Sequence, residues 1–226
     1  MRQARLGRVP DPVEAARICG RAGADSIVCH LREDRRHIQD ADVARLLKRL
    51  SIPLNLEMSI APDVVEVAMK LKPRQVTLVP ERRRELTTEG GLDAVQLRTR
   101  LRRLVPNFQK RGIAVSLFVD PVLSQLRASA QSGAQIVELH TGRYAEARTA
   151  AQRKQELTIL RRAAEHAKQL GLIVAAGHGL DYHNTAAIIA IPEIEELNIG
   201  FSIISRALFV GIECAVREMR ALMKQS

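Results

Sequence analysis

The sequence predicts an α/β fold on a parallel sheet, either a doubly wound sheet or a (β/α)8 barrel, and three observations carry that expectation. Helical and strand patterns alternate along the chain, the strand-like runs are continuously apolar, and the joints between them are short. Continuous apolar runs suit parallel strands covered on both faces, whereas a half-exposed antiparallel sheet would alternate. The length of 226 residues fits one domain over 1–226, and no linker or low-complexity tract divides it.

Asp11 and Pro12 read as the N-cap and first residue of a helix over "PVEAARICGRAG". A first strand, "SIVCH", follows. Asp40 or Asp42 then opens "VARLLKRL", whose Val43, Leu46, Leu47 and Leu50 share one face. "PLNLEM" and "QVTLVP" are the next strands, and "ERRRELTTEGGLD", 81–93, reads as a polar loop with Gly90 and Gly91 as hinges, a candidate lid. After the amphipathic helix "LRTRLRRLVPNFQKRG" come the strands "AVSLFVD", "QIVELH", "LIVAAGH" and "EELNIG". That makes seven strands, one short of a closed barrel of this kind.

A formal net charge of +10 calls for an anionic partner, and nucleic acid is the first to weigh. Stacking on bases needs aromatic side chains among the cations, yet the chain is 3% aromatic and has no Trp. Its basic residues lie instead along amphipathic helices, as solvated faces from which a few meet small phosphorylated substrates. No stretch approaches the roughly 18 consecutive apolar residues of a membrane span. "MRQARLGRVPDP" has no apolar run behind its arginines, so a cytoplasmic location without membrane or nucleic-acid partners is expected. Cys19, Cys29 and Cys214 make no CxxC pair and no metal spacing, which predicts small core or interface residues rather than a disulfide framework or metal site.

Three units share a register. Gly23 precedes His30 by seven residues, Gly133 precedes His140 by seven and Gly171 precedes His178 by seven; each glycine ends a helix and each histidine closes the next strand. Ligands bind at the C-terminal ends of parallel strands, so these three histidines are expected to converge on one cavity. Glu57, near the end of "PLNLEM", falls among residues expected to be buried. Desolvation there raises a carboxyl towards the range of a general base; an ion pair with an arginine is the competing role. Glu138, two residues before His140, shares its side of the strand one layer deeper and is placed to orient a neighbour. "GHGLDYHN" brackets His178 with Gly177 and Gly179, which admit close backbone approach, and Asn184 is placed to cap the following helix. "NIGFSIISRA" passes from strand to helix through Gly200 and offers the N–H groups of Phe201 and Ser202. Loops after the last two strands are the usual phosphate cradle of barrels.

The stretches "HLREDRRHI", "NLEM", "VPERRRELTTEGGLD", "ELHTGRYA", "AGHGLDYHN" and "ELNIG" stand in the order and spacing of the pyridoxine 5'-phosphate synthase family. The chain resembles that family from Arg2 to its C-terminal helix. The resemblance implies a (β/α)8 TIM barrel with extra helices, assembled as a homo-oligomer, an octamer built of dimers. It implies condensation of 3-amino-2-oxopropyl phosphate with 1-deoxy-D-xylulose 5-phosphate, releasing phosphate and water, with no metal or organic cofactor. By resemblance His30 and Glu57 match the family's proton acceptors and His178 its proton donor. Arg5, Arg32, His37, Thr87, Gly179, Gly200 and Phe201 match its substrate-binding positions, while Arg35 and Arg36 are left to support a loop or an interface. Amine–ketone condensation, phosphate elimination and ring closure need repeated proton transfers, which histidine and a tuned glutamate perform near neutral pH.

Two departures shape the expectation. The family has histidine where this chain has Phe201, which keeps a backbone N–H and loses an imidazole. The family also begins with a strand carrying an Asn and an Asp-His pair ahead of the arginine that matches Arg2. The first strand is therefore expected to be missing from this chain, leaving either a truncated, poorly active synthase or a natural short form in which a partner chain or repacking fills the gap. Two other functions stay open beside the synthase: a barrel enzyme for a different phosphorylated substrate, and a catalytically silent barrel that only binds ligand or partners.

Overall fold

Seven parallel strands pair in the order of the sequence: β1 (Ile27–Leu31), β2 (Leu54–Met58), β3 (Gln75–Leu78), β4 (Ala114–Val119), β5 (Ile136–His140), β6 (Ile173–Gly177) and β7 (Ile194–Asn198). They belong to a computed structural model that describes residues 7, 9–80 and 90–224. Every strand lies on one of the seven apolar runs expected to form it. Among the described residues no ladder joins β7 back to β1. The helices are α1 (Pro12–Ala22), α2 (Asp40–Arg49), α3 (Pro62–Leu71), α4 (Arg98–Gln109), α5 (Leu123–Gln131), α6 (Gly142–Ala145), α7 (Ala150–Gln169), α8 (Thr185–Ile189), α9 (Phe201–Val210) and α10 (Ile212–Met223).

The caps explain where several helices begin and end. Asp11 accepts the Val13 N–H at 2.9 Å, Pro12 opens α1, and Gly23 closes it at φ 105°. Gly133 and Gly171, which precede β5 and β6, share this left-handed backbone at φ 87° and 78°. At α2 the cap is Gln39, not Asp40 or Asp42 as expected: Asp42 sits in the first turn and its carboxylate reaches back to the Gln39 N–H at 3.2 Å.

Successive side chains of a strand face opposite sides of the sheet, and here the two sides differ in kind. One side carries Leu31, Leu54, Leu56, Met58, Val76, Leu78, Val115, Leu117, Val119, Val137, Leu139, Val174 and Ala176. These join Val43 and Leu46 of α2, Val64 of α3, Leu101 and Val105 of α4 and Leu160 of α7 in one buried core. On the other side the register sets His30 beside Glu57, Glu57 beside Thr77 and Thr77 beside Ser116. The same polar side continues with Phe118, Glu138, Ala175 and Glu196 in one row, and His140, Gly177 and Asn198 in the next.

The two ends of the sheet come together through helices. α10 packs on α1, and Arg220 of α10 pairs with Asp25 just before β1. Most of β1 and β7 is only partly buried, unlike β2 to β6. α9 contains no buried residue, and its Phe201, Leu208 and Phe209 are 88%, 71% and 86% exposed. Cys19 and Cys29 are partly buried, whereas Cys214 is exposed and is no core residue; all three are free thiols. No described helix is long and apolar enough to cross a membrane.

This division predicts where stability resides. Leu117→Ala, at a fully buried position, costs about 2–5 kcal/mol in urea unfolding through lost burial and an unfilled cavity. Phe209→Ser on α9 changes it by no more than about 0.5 kcal/mol.

Candidate active site

The C-terminal strand ends gather most of the chemically competent side chains into two groups. In the first, the β1–β2 ladder places His30 directly beside Glu57. Burial, followed by the neighbouring Arg32 guanidinium, pushes His30 down to about 4, so its imidazole is neutral at physiological pH. Burial alone lifts Glu57 to about 7, where it exchanges a proton near neutrality. The competing expectation, an ion pair between Glu57 and an arginine, has no counterpart among the salt bridges of the described residues.

The loop after β1 is braced from below. Arg32 lies against Asp34 at 3.2 Å, and Arg36 reaches the same carboxylate at 3.4 Å. Arg35, in left-handed backbone at φ 50°, spans Asp40 at 3.0 Å and Asp63 at 2.6 Å and so fastens the loop to the starts of α2 and α3. Ser59 adds a bond to Glu33 at 2.7 Å. Arg35 and Arg36 thus support the loop, as expected. His37 is exposed at its far end and is close enough to weigh on the charge of His30.

The second group lies on β4, β5 and β6. His140 closes β5 and His178 follows β6; their ring centroids are 4.9 Å apart in an edge-to-face arrangement. Phe118 flanks His140 at 5.1 Å. His140 Nδ1 donates to Asp120 Oδ1 at 3.1 Å, and the same oxygen accepts the Gly91 N–H at 3.1 Å. The bond from His140 is the main reason Asp120 is held below the usual carboxylate range. Burial, and then His140, hold His178 below the ordinary histidine value. His178 has left-handed backbone at φ 80°, costly for a residue with a side chain. Thr141 sustains the turn, its hydroxyl donating to the carbonyls of Gly177 at 2.7 Å and His178 at 2.6 Å. Of the three histidines in register, then, His140 and His178 meet, while His30 stands with Glu57.

Beneath these groups lies a buried polar layer. Asn198 donates to Glu138 Oε2 at 2.8 Å, and Thr77 donates to Asn55 at 2.9 Å. Burial, reinforced by Glu57 and Glu196, drives Glu138 far towards its acid form. Gly177 makes this possible, because a Cβ there would fall 2.2 Å from Glu138 Oε1.

The loops after β6 and β7 adjoin. Gly179 has φ 76° and lies so near Ala145 that a Cβ would approach its methyl group to 2.6 Å. Asn184 stands at the N-cap of α8, yet its side chain bonds the turn instead, donating to Gly179 O at 3.0 Å and accepting the Asp181 N–H at 2.8 Å. Ser202 in the first turn of α9 donates to Leu180 O at 2.8 Å. This fastens the Gly200 and Phe201 turn to the Gly179 turn. Phe201 itself points outward.

Arg5 and Thr87 lie outside the described residues, as does most of the candidate lid. Sequence reasoning gave His140 no role of its own and missed Asp120, Asn198 and Thr141. For Asp120 a signal existed: an acid directly after the apolar run of β4, at the level of the other strand ends. A groove of about 490 Å³ between α3 and α4, lined by Ile60, Val65, Arg100 and Arg103 among others, contains none of these residues. Among the described residues no three His, Cys, Asp or Glu side chains are grouped to hold a metal ion.

Comparison with known proteins adds independent findings. The family model described as "Pyridoxal phosphate biosynthesis protein PdxJ" matches residues 1–225. Pyridoxine 5'-phosphate synthase of Synechococcus sp. (strain JA-2-3B'a(2-13)) is 58% identical, covering 99% of this chain and 93% of its own. The synthase of Magnetococcus marinus is 54% identical over 100% and 93%, and that of Coxiella burnetii (strain Dugway 5J108-111) 51% over 99% and 93%. Among solved structures, phosphoribosyl anthranilate isomerase of Thermotoga maritima superposes with a TM-score of 0.64 at 14% identity over 95% of each chain. Thiamine phosphate pyrophosphorylase of Pyrococcus furiosus gives 0.62 at 16% identity over 96% of this chain and 92% of its own. These structures show a TIM-barrel-like fold.

The crowding over Gly142 yields a test of the site. A Cβ there would lie 2.6 Å from His140 Nε2 and 3.2 Å from His178 Cδ2. Gly142→Ala therefore displaces both rings and lowers turnover at least about tenfold, the loss set by about 1.4 kcal/mol of misplacement. The substitution adds helix propensity, and intact circular dichroism beside the lost rate separates the site from the fold.

Proposed function

The chain belongs to the family of the pyridoxal phosphate biosynthesis protein PdxJ, and from that membership we propose that it joins 3-amino-2-oxopropyl phosphate to 1-deoxy-D-xylulose 5-phosphate, forming pyridoxine 5'-phosphate, phosphate and water. The observation that carries the reading is the β1–β2 pair, a neutral imidazole beside a carboxyl that titrates at about 7. Such a pair removes protons near neutral pH, the task that imine formation, elimination and aromatisation repeat.

In this reading His30 and Glu57 accept protons from carbon and nitrogen while His178 returns them to departing oxygen. Arg32 supplies a cation beside His30. Gly179 and the N–H groups of Gly200 and Phe201, fastened together through Ser202 and Leu180, cradle a phosphate at the start of α9. His37, Arg5 and Thr87 complete the substrate contacts. Thr141 and Asn184 hold the turns that carry His178 and Gly179.

The reading extends to architecture and setting. Seven sequential parallel strands with partly exposed β1 and β7 suit a single domain of the TIM-barrel class. The apolar face of α9 suits burial between copies in a cytoplasmic homo-oligomer, the octamer of the family resemblance.

Incubation with both substrates tests the function, through phosphate release and appearance of the product chromophore; neither signal from a folded protein overturns it. Glu57→Gln binds substrate but turns over about 10²- to 10⁴-fold more slowly. The same variant has a signature in stability. Glu57 titrates at about 7 when folded, against 4.5 for an ordinary glutamate. The folded state therefore binds the extra proton in that interval, and wild-type stability falls as pH rises through it. Glu57→Gln flattens this decline in denaturant titrations between about pH 4.5 and 7. Phe201→His tightens binding of a phosphorylated substrate by about 1–2 kcal/mol in calorimetry, the lower part of what a hydrogen bond to a charged group contributes.

A further inference from the structure

We infer that His140, tied to Asp120, is a positioning residue for His178, fixing the orientation of that imidazole. The inference rests on the reading of His178 as the proton donor.

Geometry carries it. His140 is 9% exposed and is fixed on three sides: Asp120 Oδ1 holds Nδ1, Phe118 packs against its ring, and Gly142 leaves room for Nε2. Because a carboxylate only accepts, the bond to Asp120 keeps a proton on Nδ1 and fixes which edge of the ring faces inward. Nε2 is buried and has no hydrogen-bond partner among the described residues. It borders the same small space over Gly142 as His178 Cδ2. The edge-to-face contact at 4.9 Å then leaves His178 little freedom to turn. Asp120 is itself anchored by the Gly91 N–H, and Gly91 must be glycine because a Cβ would sit 2.3 Å from the Asp120 nitrogen. The sequence from Gly91 through Asp120 and His140 to His178 is thus one continuous packed chain.

The charged groups around His178 come from several elements. His140 on β5 opposes its protonation, whereas Glu146 after α6 favours it; Asp120 after β4 and Arg143 on α6 act on one another beside His140. Replacing His140 by a neutral side chain removes the opposing group, so His178 titrates at higher pH. A donor must be protonated to act, and the alkaline limb of the kcat profile moves up with it.

His140→Gln is expected to lower kcat about tenfold or more with KM within about threefold, because orientation rather than binding is lost. The His178 Cε1–H resonance of the substrate-free protein, assigned by its loss in His178→Gln, should titrate at higher pH in His140→Gln than in the wild type. Asp120→Ala is expected to lower kcat similarly, and Asp120→Asn, whose amide oxygen still accepts from His140 and Gly91, to restore most of it. An unmoved His178 titration with an unmoved alkaline limb in His140→Gln overturns the inference, as does wild-type kcat in Asp120→Ala. Wild-type turnover in His178→Gln would instead remove the donor assignment beneath it, while the titration in the substrate-free protein decides the positioning role independently.

Discussion

A parallel ladder slipped by one residue turns every side chain of that strand to the other face of the sheet. In β2 that slip would drive Asn55 and Glu57 into the helix-facing core and turn Leu54, Leu56 and Met58 inward. Burying an unpaired carboxylate among Val43, Val64 and Val76 would cost several kcal/mol, and the apolar side therefore locks the polar side in place. The adjacency of His30 and Glu57 is a by-product of packing that is chemically neutral in itself.

The interior uses the same economy of space. Glu138 lies opposite the charges of Glu57 and Glu196, a crowd of carboxyls that is tolerable only while some keep their protons. The amide of Asn198 satisfies one Glu138 oxygen, and the missing side chain of Gly177 makes room for the other. Proton-holding at Glu138 is accordingly a property it shares with the layer, since Glu57 and Glu196 add to the cost that burial sets on its ionisation.

How much of this was legible in the sequence follows from the range of the interactions. The strands were, because each is a local run of apolar residues flanked by helical patterns. His30 and Glu57 were, because position on a strand fixes both level and face. The meeting of His140 and His178 was foreshadowed by a shared spacing from glycine, while the ladder sets His30, which has the same spacing, beside Glu57. Asp120 was not legible: its bond to His140 spans 20 residues and depends on the bend of the chain after β4. The cap of α2 was misjudged by a residue or more because two aspartates compete near one helix start, and the side chain of Asn184 was claimed by a turn. Nothing local signalled that the apolar residues of α9 would face outward, since an amphipathic pattern records that a face is apolar and not what covers it.

With no fully buried side chain, α9 leans on α10, and among the described residues its side-chain bonds are Ser202 to Leu180 and a two-point pairing of Arg206 with Glu218 at 2.8 and 3.0 Å. Detaching it exposes little new apolar surface, so its opening is a local event, nearly independent of denaturant, while the strands open only with the whole sheet. Its amides should exchange with solvent hydrogen long before those of β2 to β6 in the isolated chain. The phosphate cradle would then sit on the least cooperative part of the molecule, and the proton-transfer groups on the most cooperative.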